Sequence, residues 1–318
     1  MDKPRPCGCK GRRTCLICEA DFQILQDVYV LDPNASTYVF CPYCNLCFPG
    51  WDMNLYKKHP NHEGQPIKCP GVYVHLEFLS NEEHDDLIES IDRIPWDLSQ
   101  SGRRKQNYGP KCNFRKRKLR MGNFSGFPFC TKFIQDKFLS VPIMEGFQTI
   151  EQCSLEYDPK KGASIDPHVD DCWIWGERVV TVNLLSDSVL TLTFNQKPDK
   201  YNIDLVSTYR RILDHNGKFI INTDNWDSFH VDFIKPETVY PIIRVPMPRN
   251  SLIVMYGNAR YNYEHRVLRE DITERRVCLA YREFTPPYLE GGEFYEEGKP
   301  VIQKAKHFFE TDCEYPST

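Results

Sequence analysis

The stretch from Cys153 to Phe284 is dominated by short apolar runs rich in β-branched and aromatic residues. Turn-forming residues separate these runs, a pattern that predicts strands. The predicted strands are RVVTVNLL (178–185), VLTLTF (189–194), YPIIRVPM (240–247), SLIVMYG (251–257) and RRVCLAYREF (275–284). Neither a crossover-helix rhythm nor a repeat is evident. The pattern therefore predicts a mainly β protein with flanking helices, its antiparallel core a double-stranded β-helix (jelly roll) or a similar barrel.

The residues around this core follow other patterns. A strand is predicted over VYVHLEF (72–78), and Ser80 with Glu83 forms a capping box that opens a helix reaching about Ile91. A polar stretch at about 195–235 predicts an insertion between strands. By composition the chain divides into a Cys-rich region (1–70), a helical layer with a basic segment (71–150), the β core (151–286) and a charged tail that we expect to be loose (287–318).

Composition and charge narrow the class of protein. The 318 residues are 41% hydrophobic, enough for a sizeable core, and the net charge is −4. No apolar run approaches the roughly 20 residues that span a bilayer, and the N-terminus MDKPRPCGCKGRR lacks the apolar stretch of a signal peptide. We therefore expect no membrane partner and a cytoplasmic and nuclear location, where the 14 cysteines remain thiols or bind metal. These features leave the oligomeric state open.

Eight of the 14 cysteines fall within the first 70 residues, in two groups. The first group is Cys7, Cys9, Cys15 and Cys18. The second is Cys41, Cys44, Cys47, His59, His62 and Cys69. Tetrahedral zinc takes four thiolate or imidazole ligands and stabilises chains too small to form a core. The first group predicts a structural zinc site and the second a further site built from a subset. The alternative is that these are buried or incidental thiols.

The segment IDPHVDDCWIW (165–175) places His168 and Asp170 two positions apart, so that on a strand both would point to the same face. Two other His-x-Asp pairs occur. His84 lies in the predicted helix, where a residue two positions away points elsewhere. The pair His230 and Asp232 could lie on a strand and competes with the first. Non-haem Fe(II) sites bind the metal through two histidines and one carboxylate.

The remaining ligand would come from a later strand that returns beside the first. His265 follows Asp170 by 94 intervening residues, room for several strands, but follows Asp232 by only 32. In YNYEHRVL, alternation would place Tyr261, Tyr263 and His265 on one face. The alternative for His265 is an ordinary core or surface histidine.

Two arginines follow His265 on a predicted strand. Arg276 and Arg282 are six residues apart, so they share a face. An unpaired buried charge is costly, so two inward arginines imply anions that meet them, and a dicarboxylate would satisfy both. A solvated outer face with ordinary salt bridges is the alternative.

Taken together, the order His168, Asp170, His265, Arg276, Arg282 resembles the AlkB family of Fe(II)- and 2-oxoglutarate-dependent dioxygenases. The resemblance spans about residues 72–284. It also extends to longer blocks: CGCKGRRTCLICE (7–19), SQSGRRKQNYGPKCNFRKRKL (99–119), IDPHVDDCWIWGERVV (165–180) and GNARYNYEHRV (257–267). The Cys41–Cys69 group has no counterpart that we can place in the family pattern.

The resemblance implies a role for each of these residues. Fe(II) would be bound by His168, Asp170 and His265. The cosubstrate 2-oxoglutarate would be held by Arg276 at its distal carboxylate, with Arg282 near its iron-chelating end and Tyr157 helping to hold it. Leu155 stands where many family members have Asn, which removes one polar contact with the cosubstrate.

The implied reaction is oxidative N-demethylation with release of formaldehyde, succinate and CO2. The resemblance points to monomethyl-lysine in a protein such as actin as the substrate, with N6-methyladenine in DNA as the alternative. A different class of function is a zinc-bearing interaction protein whose oxygenase site is vestigial, although intact ligand and arginine positions disfavour it.

A basic segment from Arg103 to Arg120 carries nine Lys or Arg and no acid. The candidate substrate contacts in it are Arg103, Arg104, Lys105, Tyr108, Arg115 and Lys116. Cations interleaved with aromatic residues suit phosphates and stacked bases. They suit an acidic protein equally well.

Overall fold

In a computed structural model, the fold is built on two seven-stranded sheets. The structure describes residues 4–25, 31–197, 199–220 and 239–310. The first sheet contains, in spatial order, β11 (Ile165–His168), β16 (Tyr263–Val267), β13 (Ser188–Phe194), β14 (Ile242–Met247), β1 (Thr37–Cys41), β2 (Leu46–Pro49) and β3 (Ile67–Lys68). The second contains β4 (Val72–His75), β15 (Leu252–Met255), β12 (Trp175–Leu184), β17 (Arg276–Phe284), β10 (Glu151–Tyr157), β6 (Arg103–Tyr108) and β5 (Asp97–Leu98).

Smaller elements surround the two sheets. Two short ladders are β7 (Lys111–Asn113) with β8 (Lys118–Arg120), and β9 (Phe127–Pro128) with β18 (Phe308–Phe309). The helices are α1 (Leu16–Phe22), α2 (Asn81–Arg93), α3 (Lys132–Phe138), α4 (Gly257–Tyr261) and α5 (Tyr295–Lys304). Single 3₁₀ turns are Met53–Lys58, Phe129–Thr131, Pro142–Met144, Pro159–Lys161, Ile203–Thr208, Arg269–Asp271 and Pro286–Tyr288.

Apolar side chains from both sheets meet in one core. Leu192 and Val245 of the first sheet pack in the same cluster as Val179, Ile253 and Cys278 of the second. Each of the five strands predicted between 178 and 284 is confirmed in approximate position, as β12 to β15 and β17, and β16 is a sixth strand in this stretch.

The outer face of the second sheet is also covered, which explains why its central strands read as continuous apolar runs. Helices α2 and α3 pack on that face through Leu87, Ile91, Ile134 and Phe138, against β12 and β17. A strand that is buried on both sides has no solvent face to alternate with.

The helix α2 begins where the sequence predicts it. The Ser80 hydroxyl accepts a hydrogen bond from the Glu83 backbone N–H at 3.1 Å, and the Glu83 carboxylate accepts one from the Ser80 backbone N–H at 2.8 Å. This reciprocal pair satisfies two N–H groups that a helix start leaves without partners. The predicted capping box is therefore confirmed.

Three expectations need correction. The core is not wholly antiparallel, because β1 from the Cys-rich region pairs parallel with β14. Tyr261 lies in α4 and not on the strand that carries His265. The tail is not loose over 287–310, because α5 follows the sheets and buries Val301 and Ala305 against Phe284. Two aliphatic side chains on one helical face sufficed to dock a segment whose overall composition is charged.

The insertion is described only in part. Residues 199–220 contain the 3₁₀ turn Ile203–Thr208, and residues 221–238 lie outside the description. Within the described ranges, no helix is long and apolar enough to cross a membrane.

Candidate functional site

Two histidines from distant parts of the chain face each other across neighbouring strands. In the antiparallel pairing of β11 with β16, His168 lies directly opposite His265, and the two ring centroids are 4.2 Å apart. An irregularity in register between Ile165 and His168 precedes this pair. The structure therefore brings together the predicted proximal and distal histidines.

The His168 ring is oriented by the backbone. Its Nδ1 lies 2.8 Å from the carbonyl oxygen of Asp166, and because a carbonyl can only accept, Nδ1 carries the proton. Nε2 is then left with a lone pair, which is the form that binds a metal ion. Burial lowers the pKa of His168, although Asp170 partly offsets the effect. Burial also lowers the pKa of His265 well below its usual value, and His168 adds to this. Both imidazoles are therefore neutral.

The spacing of His168 and Asp170 predicts both residues on one strand. In the structure, Asp170 lies beyond the end of β11. Its carboxylate accepts two hydrogen bonds from Arg282, from Nε at 3.1 Å and from Nη2 at 3.0 Å. Burial raises the pKa of Asp170, but Arg282, the two histidines and Arg260 together outweigh burial, and the net pKa is below the usual range. Arg282 also binds the Glu151 carboxylate at 2.6 Å.

The two histidines and Asp170 match the donor set of a non-haem iron site, but they are not closed around one point. In the described ranges, two sets of side chains have donor atoms that all lie within 4.8 Å of one another, and both sets are in the N-terminal region. The Asp170 carboxylate is instead held by Arg282. Each carboxylate oxygen has two lone pairs, so an oxygen that accepts from Arg282 keeps one for a metal ion. His265 Nδ1 is buried and has no hydrogen-bond partner among the described residues, so this donor set fits a metal ion.

Three side chains form a row on neighbouring strands of the second sheet. Tyr157 on β10 lies opposite Arg276 on β17 and opposite Arg103 on β6. The guanidinium carbons of Arg276 and Arg103 lie 4.7 and 5.8 Å from the centroid of the Tyr157 ring. The predicted cosubstrate residues Arg276 and Tyr157 are thus in contact.

Arg276 has an unused donor in a buried position. It is 1% exposed, and its Nε donates to Asn183 Oδ1 at 2.7 Å. Its Nη1 is buried without a hydrogen-bond partner in the part of the chain that the structure describes. An unpaired guanidinium N–H is costly in such a place, and a carboxylate would satisfy it. The residues therefore fit the carboxylate end of a cosubstrate.

Arg103 is the residue whose role the sequence did not indicate. It was grouped with the basic segment as a substrate contact, but the structure buries it beside Tyr157. The charge of Arg103 also contributes to lowering the pKa of His168, with burial as the main cause. Arg103 begins a strand within a run of charged residues, and the composition of that run does not indicate that one of its arginines is buried.

The other basic-segment residues are in different surroundings. Arg104 pairs with Glu156, which also binds Arg275, on the outer face of the sheet. Tyr108 packs beside Phe309, and burial raises the pKa of Tyr108 to about 12. Lys105 is half-buried on the same strand.

Arg115 and Lys116 are exposed at the tip of the β7–β8 hairpin. Phe114 in this tip is 48% exposed and meets Trp173 edge-on, with centroids 6.3 Å apart. Trp173 lies three residues after Asp170. The cationic hairpin tip therefore adjoins the loop that carries a predicted metal ligand.

The first cysteine group is confirmed as a cluster. The sulfur atoms of Cys7, Cys9, Cys15 and Cys18 all lie within 4.8 Å of one another. Burial raises the pKa of Cys18, but hydrogen bonds, including one from Arg5 Nε at 3.2 Å, outweigh it and bring the pKa to about 7. Four converging thiols, one of them readily ionised, suit tetrahedral zinc.

The second group narrows from six candidates to four. Donor atoms of Cys41, Cys44, His59 and His62 converge within 4.8 Å, and His62 Nε2 is buried without a hydrogen-bond partner in the described ranges. Cys47 is not in this set. A hydrogen bond with Cys69, together with burial, raises the pKa of Cys47 far above its usual value. A buried polar nitrogen with no partner, beside two thiols, fits a metal ion.

The first cluster is attached to the strands of the site. Cys9 Sγ accepts a hydrogen bond from the Ser101 backbone N–H at 3.2 Å, two residues before Arg103. Arg13 forms an ion pair at 3.4 Å with Asp166, whose carbonyl orients His168. The competing pair, His230 and Asp232, lies outside the described residues.

The chain resembles known proteins along almost its whole length. "Alpha-ketoglutarate-dependent dioxygenase alkB homolog 4" of Mus musculus is 35% identical over 306 residues, 95% of this chain and 94% of its own. The protein of the same name from Homo sapiens is 36% identical over 316 residues, 96% of this chain and 94% of its own. A "DNA N6-methyl adenine demethylase" of Caenorhabditis elegans is 29% identical over 310 residues, 92% and 91% of the two chains. No family model matches.

Replacing a ligand tests the histidine pair directly. His168→Ala, Asp170→Ala and His265→Ala should each weaken Mn(II) binding by about 100-fold or more, because loss of an outer-shell partner alone costs about 10–100-fold. Mn(II) suits imidazole and carboxylate donors and can be titrated by electron paramagnetic resonance. His230→Ala is the matched control and should bind Mn(II) as the parent does. Loss of binding in His230→Ala with retention in His168→Ala would assign the site to the other pair.

Proposed function

Because this chain belongs to the AlkB family of Fe(II)- and 2-oxoglutarate-dependent dioxygenases, as its identity to the mouse and human relatives shows, we propose that it demethylates monomethyl-lysine in a protein such as actin. The chain is a dioxygenase of the demethylase type. The observation that carries the proposal for its site is the pairing of His168 with His265 beside the Asp170–Arg282 ion pair.

We infer that the core strands form a double-stranded β-helix. Along the chain, β10, β12, β15 and β17 belong to one sheet, and β11, β13, β14 and β16 to the other. Strands that pass repeatedly between two facing sheets are the hallmark of jelly rolls. In this arrangement β11 and β16 lie side by side at one end of their sheet, which is where the proposed metal site lies.

In the proposed site, His168, Asp170 and His265 would hold Fe(II), and Arg276 and Tyr157 would hold 2-oxoglutarate, with Arg282 near its iron-chelating end. Together these groups supply oxidation of the methyl C–H bond by O2 to a hydroxymethyl amine, with succinate and CO2 as co-products. The hydroxymethyl amine loses formaldehyde to leave the free amine.

The protein's own residues prepare the site for this chemistry. The Asp166 carbonyl fixes the His168 tautomer, and Arg282 keeps Asp170 ionised. Asn183 orients the Arg276 fork, whose remaining N–H groups are available to a carboxylate. Because Asn183 already orients Arg276, less ordering of this side chain is needed when the cosubstrate binds, which lowers the cost of binding.

The charge of the chain supports a protein substrate over a nucleic acid. Nucleic-acid-binding domains are generally basic, whereas this chain carries a net charge of −4. A run of four exposed cations, from Arg115 to Lys118, lies at the hairpin, where Arg115 and Lys116 could contact an acidic protein surface near the methylated side chain. N6-methyladenine in DNA is the second candidate, because the Caenorhabditis elegans relative is named for that activity.

We further propose zinc in both N-terminal clusters, through Cys7, Cys9, Cys15 and Cys18 and through Cys41, Cys44, His59 and His62. Thiolate ligands need a reducing compartment, and we propose the cytoplasm and nucleus for this reason. None of the described cysteines forms a disulfide bond.

A competition between substrates tests the proposed function. Fe(II)-loaded protein should release formaldehyde from a monomethyl-lysine actin peptide and not from an oligonucleotide containing N6-methyladenine. Neutralising the tip with Arg115→Gln, Lys116→Gln, Arg117→Gln and Lys118→Gln should weaken binding of the macromolecular substrate, with a smaller loss at high salt because screening removes the same attraction. Succinate formation without substrate should be unchanged. Formaldehyde from the oligonucleotide alone, with a steep dependence of affinity on salt, would assign the enzyme to DNA.

The cosubstrate contact is tested with a charge-preserving change. Arg276→Lys keeps a cation but loses the planar fork, which is worth about 1.5–3 kcal/mol in a charged hydrogen bond. The 2-oxoglutarate concentration that gives half-maximal turnover should rise about tenfold or more. Arg275→Lys, one residue earlier on the outer face, is the control and should leave this concentration unchanged. An unaltered requirement in Arg276→Lys would exclude it from the site.

Zinc content tests the two clusters separately. The reduced, unchelated protein should contain two zinc ions per chain by elemental analysis. One should be lost in Cys15→Ser/Cys18→Ser, and the other in Cys41→Ser/Cys44→Ser. Cys153→Ser/Cys278→Ser, which alters two buried core cysteines, should retain both. Zinc-free parent protein would leave these residues as plain thiols.

A further inference from the structure

The proposed metal ligands come from two segments that must be held in mutual register. His168 and Asp170 flank the end of β11, whereas His265 lies on β16 after the short helix α4. Cross-strand pairing fixes His168 against His265. It does not fix Asp170, which lies in the loop between β11 and β12.

One buried side chain from the His265 segment reaches across to that loop. Arg260 in α4 is 1% exposed. Its three nitrogens donate to three backbone carbonyls: Nη1 to Asp170 at 2.9 Å, Nη2 to Trp175 at 2.9 Å and Nε to Gly176 at 3.0 Å. The fork therefore spans the loop from the predicted ligand to the start of β12.

Arg260 has no carboxylate partner among the described residues, as is also true of Arg276, whereas two other deeply buried arginines have one. Arg178 and Arg244 each pair with a carboxylate, Glu283 and Asp271 respectively. No carboxylate oxygen lies within 4.0 Å of Arg260 in the described ranges. Its partners are the three carbonyls, the sulfur of Cys172 at 3.8 Å and the ring of Tyr261, whose centroid lies 4.9 Å from the guanidinium carbon. Burying a cation without a paired anion is costly. Such an arrangement indicates a function for the loop conformation that Arg260 enforces.

The position of the Asp170 carboxylate supports this reading. Arg282 holds the carboxylate from the β17 side, through its side-chain oxygens. Arg260 holds the same residue from the α4 side, through its backbone carbonyl. Two arginines from different segments thus fix both the main chain and the side chain of one residue.

We propose that Arg260 is a positioning residue, which aligns Asp170 with His168 and His265 by clamping the 170–176 loop to the segment that carries His265. The assignment of the metal ligands in this inference rests on the proposed function. The clamp itself is a property of the loop and can be measured without a metal.

The clamp needs a planar fork and not only a positive charge, which gives a decisive variant. Arg260→Lys keeps the positive charge, but its single ammonium group cannot donate to all three carbonyls. Arg260→Gln removes the charge and leaves a shorter side chain whose amide N–H groups can still donate. Both should lower Mn(II) affinity by about 10–100-fold, the usual cost of losing an outer partner of a metal ligand. Arg244→Lys, a matched change of a buried arginine on the outer face of the first sheet, should stay within about twofold.

A second readout separates this inference from the proposed function. Hydrogen exchange of metal-free protein should show faster exchange over residues 169–176 in both Arg260 variants and no such change in Arg244→Lys. If the parent protein binds no Mn(II), the proposed metal ligands are wrong, and the exchange data still decide the clamp.

The opposite results would overturn it. Unchanged exchange over 169–176 would show that the loop does not depend on Arg260. If Arg260→Lys binds Mn(II) as tightly as the parent protein, only the positive charge of Arg260 matters and the planar fork does not. Global loss of β-sheet circular dichroism in the Arg260 variants, but not in Arg244→Lys, would make Arg260 a general stability residue and contradict the positioning role.

Discussion

The register between β11 and β16 is the constraint on which the site depends. A strand displaced by one residue turns each of its side chains to the opposite face. His168 meets His265 only in the observed register, and β13 on the other side of β16 holds it there by pairing Leu192 with His265. Leu192 is fully buried in the core between the sheets. Hydrophobic packing thus fixes the position of two polar rings that contribute little to stability themselves.

Buried charge is the second determinant, and it acts on protonation. In a poorly solvated site, each ionisable group takes the form that its neighbours favour. Burial keeps His168 and His265 neutral, and Arg282 keeps Asp170 anionic. These are the forms in which imidazole and carboxylate bind a metal ion. The arginines therefore set the chemical state of the donor groups as well as their orientation.

Local patterns in the sequence were sufficient for the strands of the core and for the start of α2, because these depend on side-chain periodicity and on neighbours three residues apart. The identity of the histidine pair also followed from spacing and resemblance. The burial of Arg103 and the carbonyl contacts of Arg260 did not, because each depends on partners that are distant in the chain. The parallel pairing of β1 with β14 could not be predicted for the same reason, because strands some two hundred residues apart produce no local sequence pattern.

The pairing of β1 with β14 also concerns solubility. The strand β14 (Ile242–Met247) is buried along its whole length, and all of its residues except Arg244 are apolar. With β1 to β3 removed, its N–H and C=O groups would form an open edge next to apolar side chains, the kind of surface that recruits other chains and aggregates. The Cys-rich region thus shields a strand edge in addition to gathering its thiols. A fragment trimmed to the β core would expose that edge to every other copy of itself.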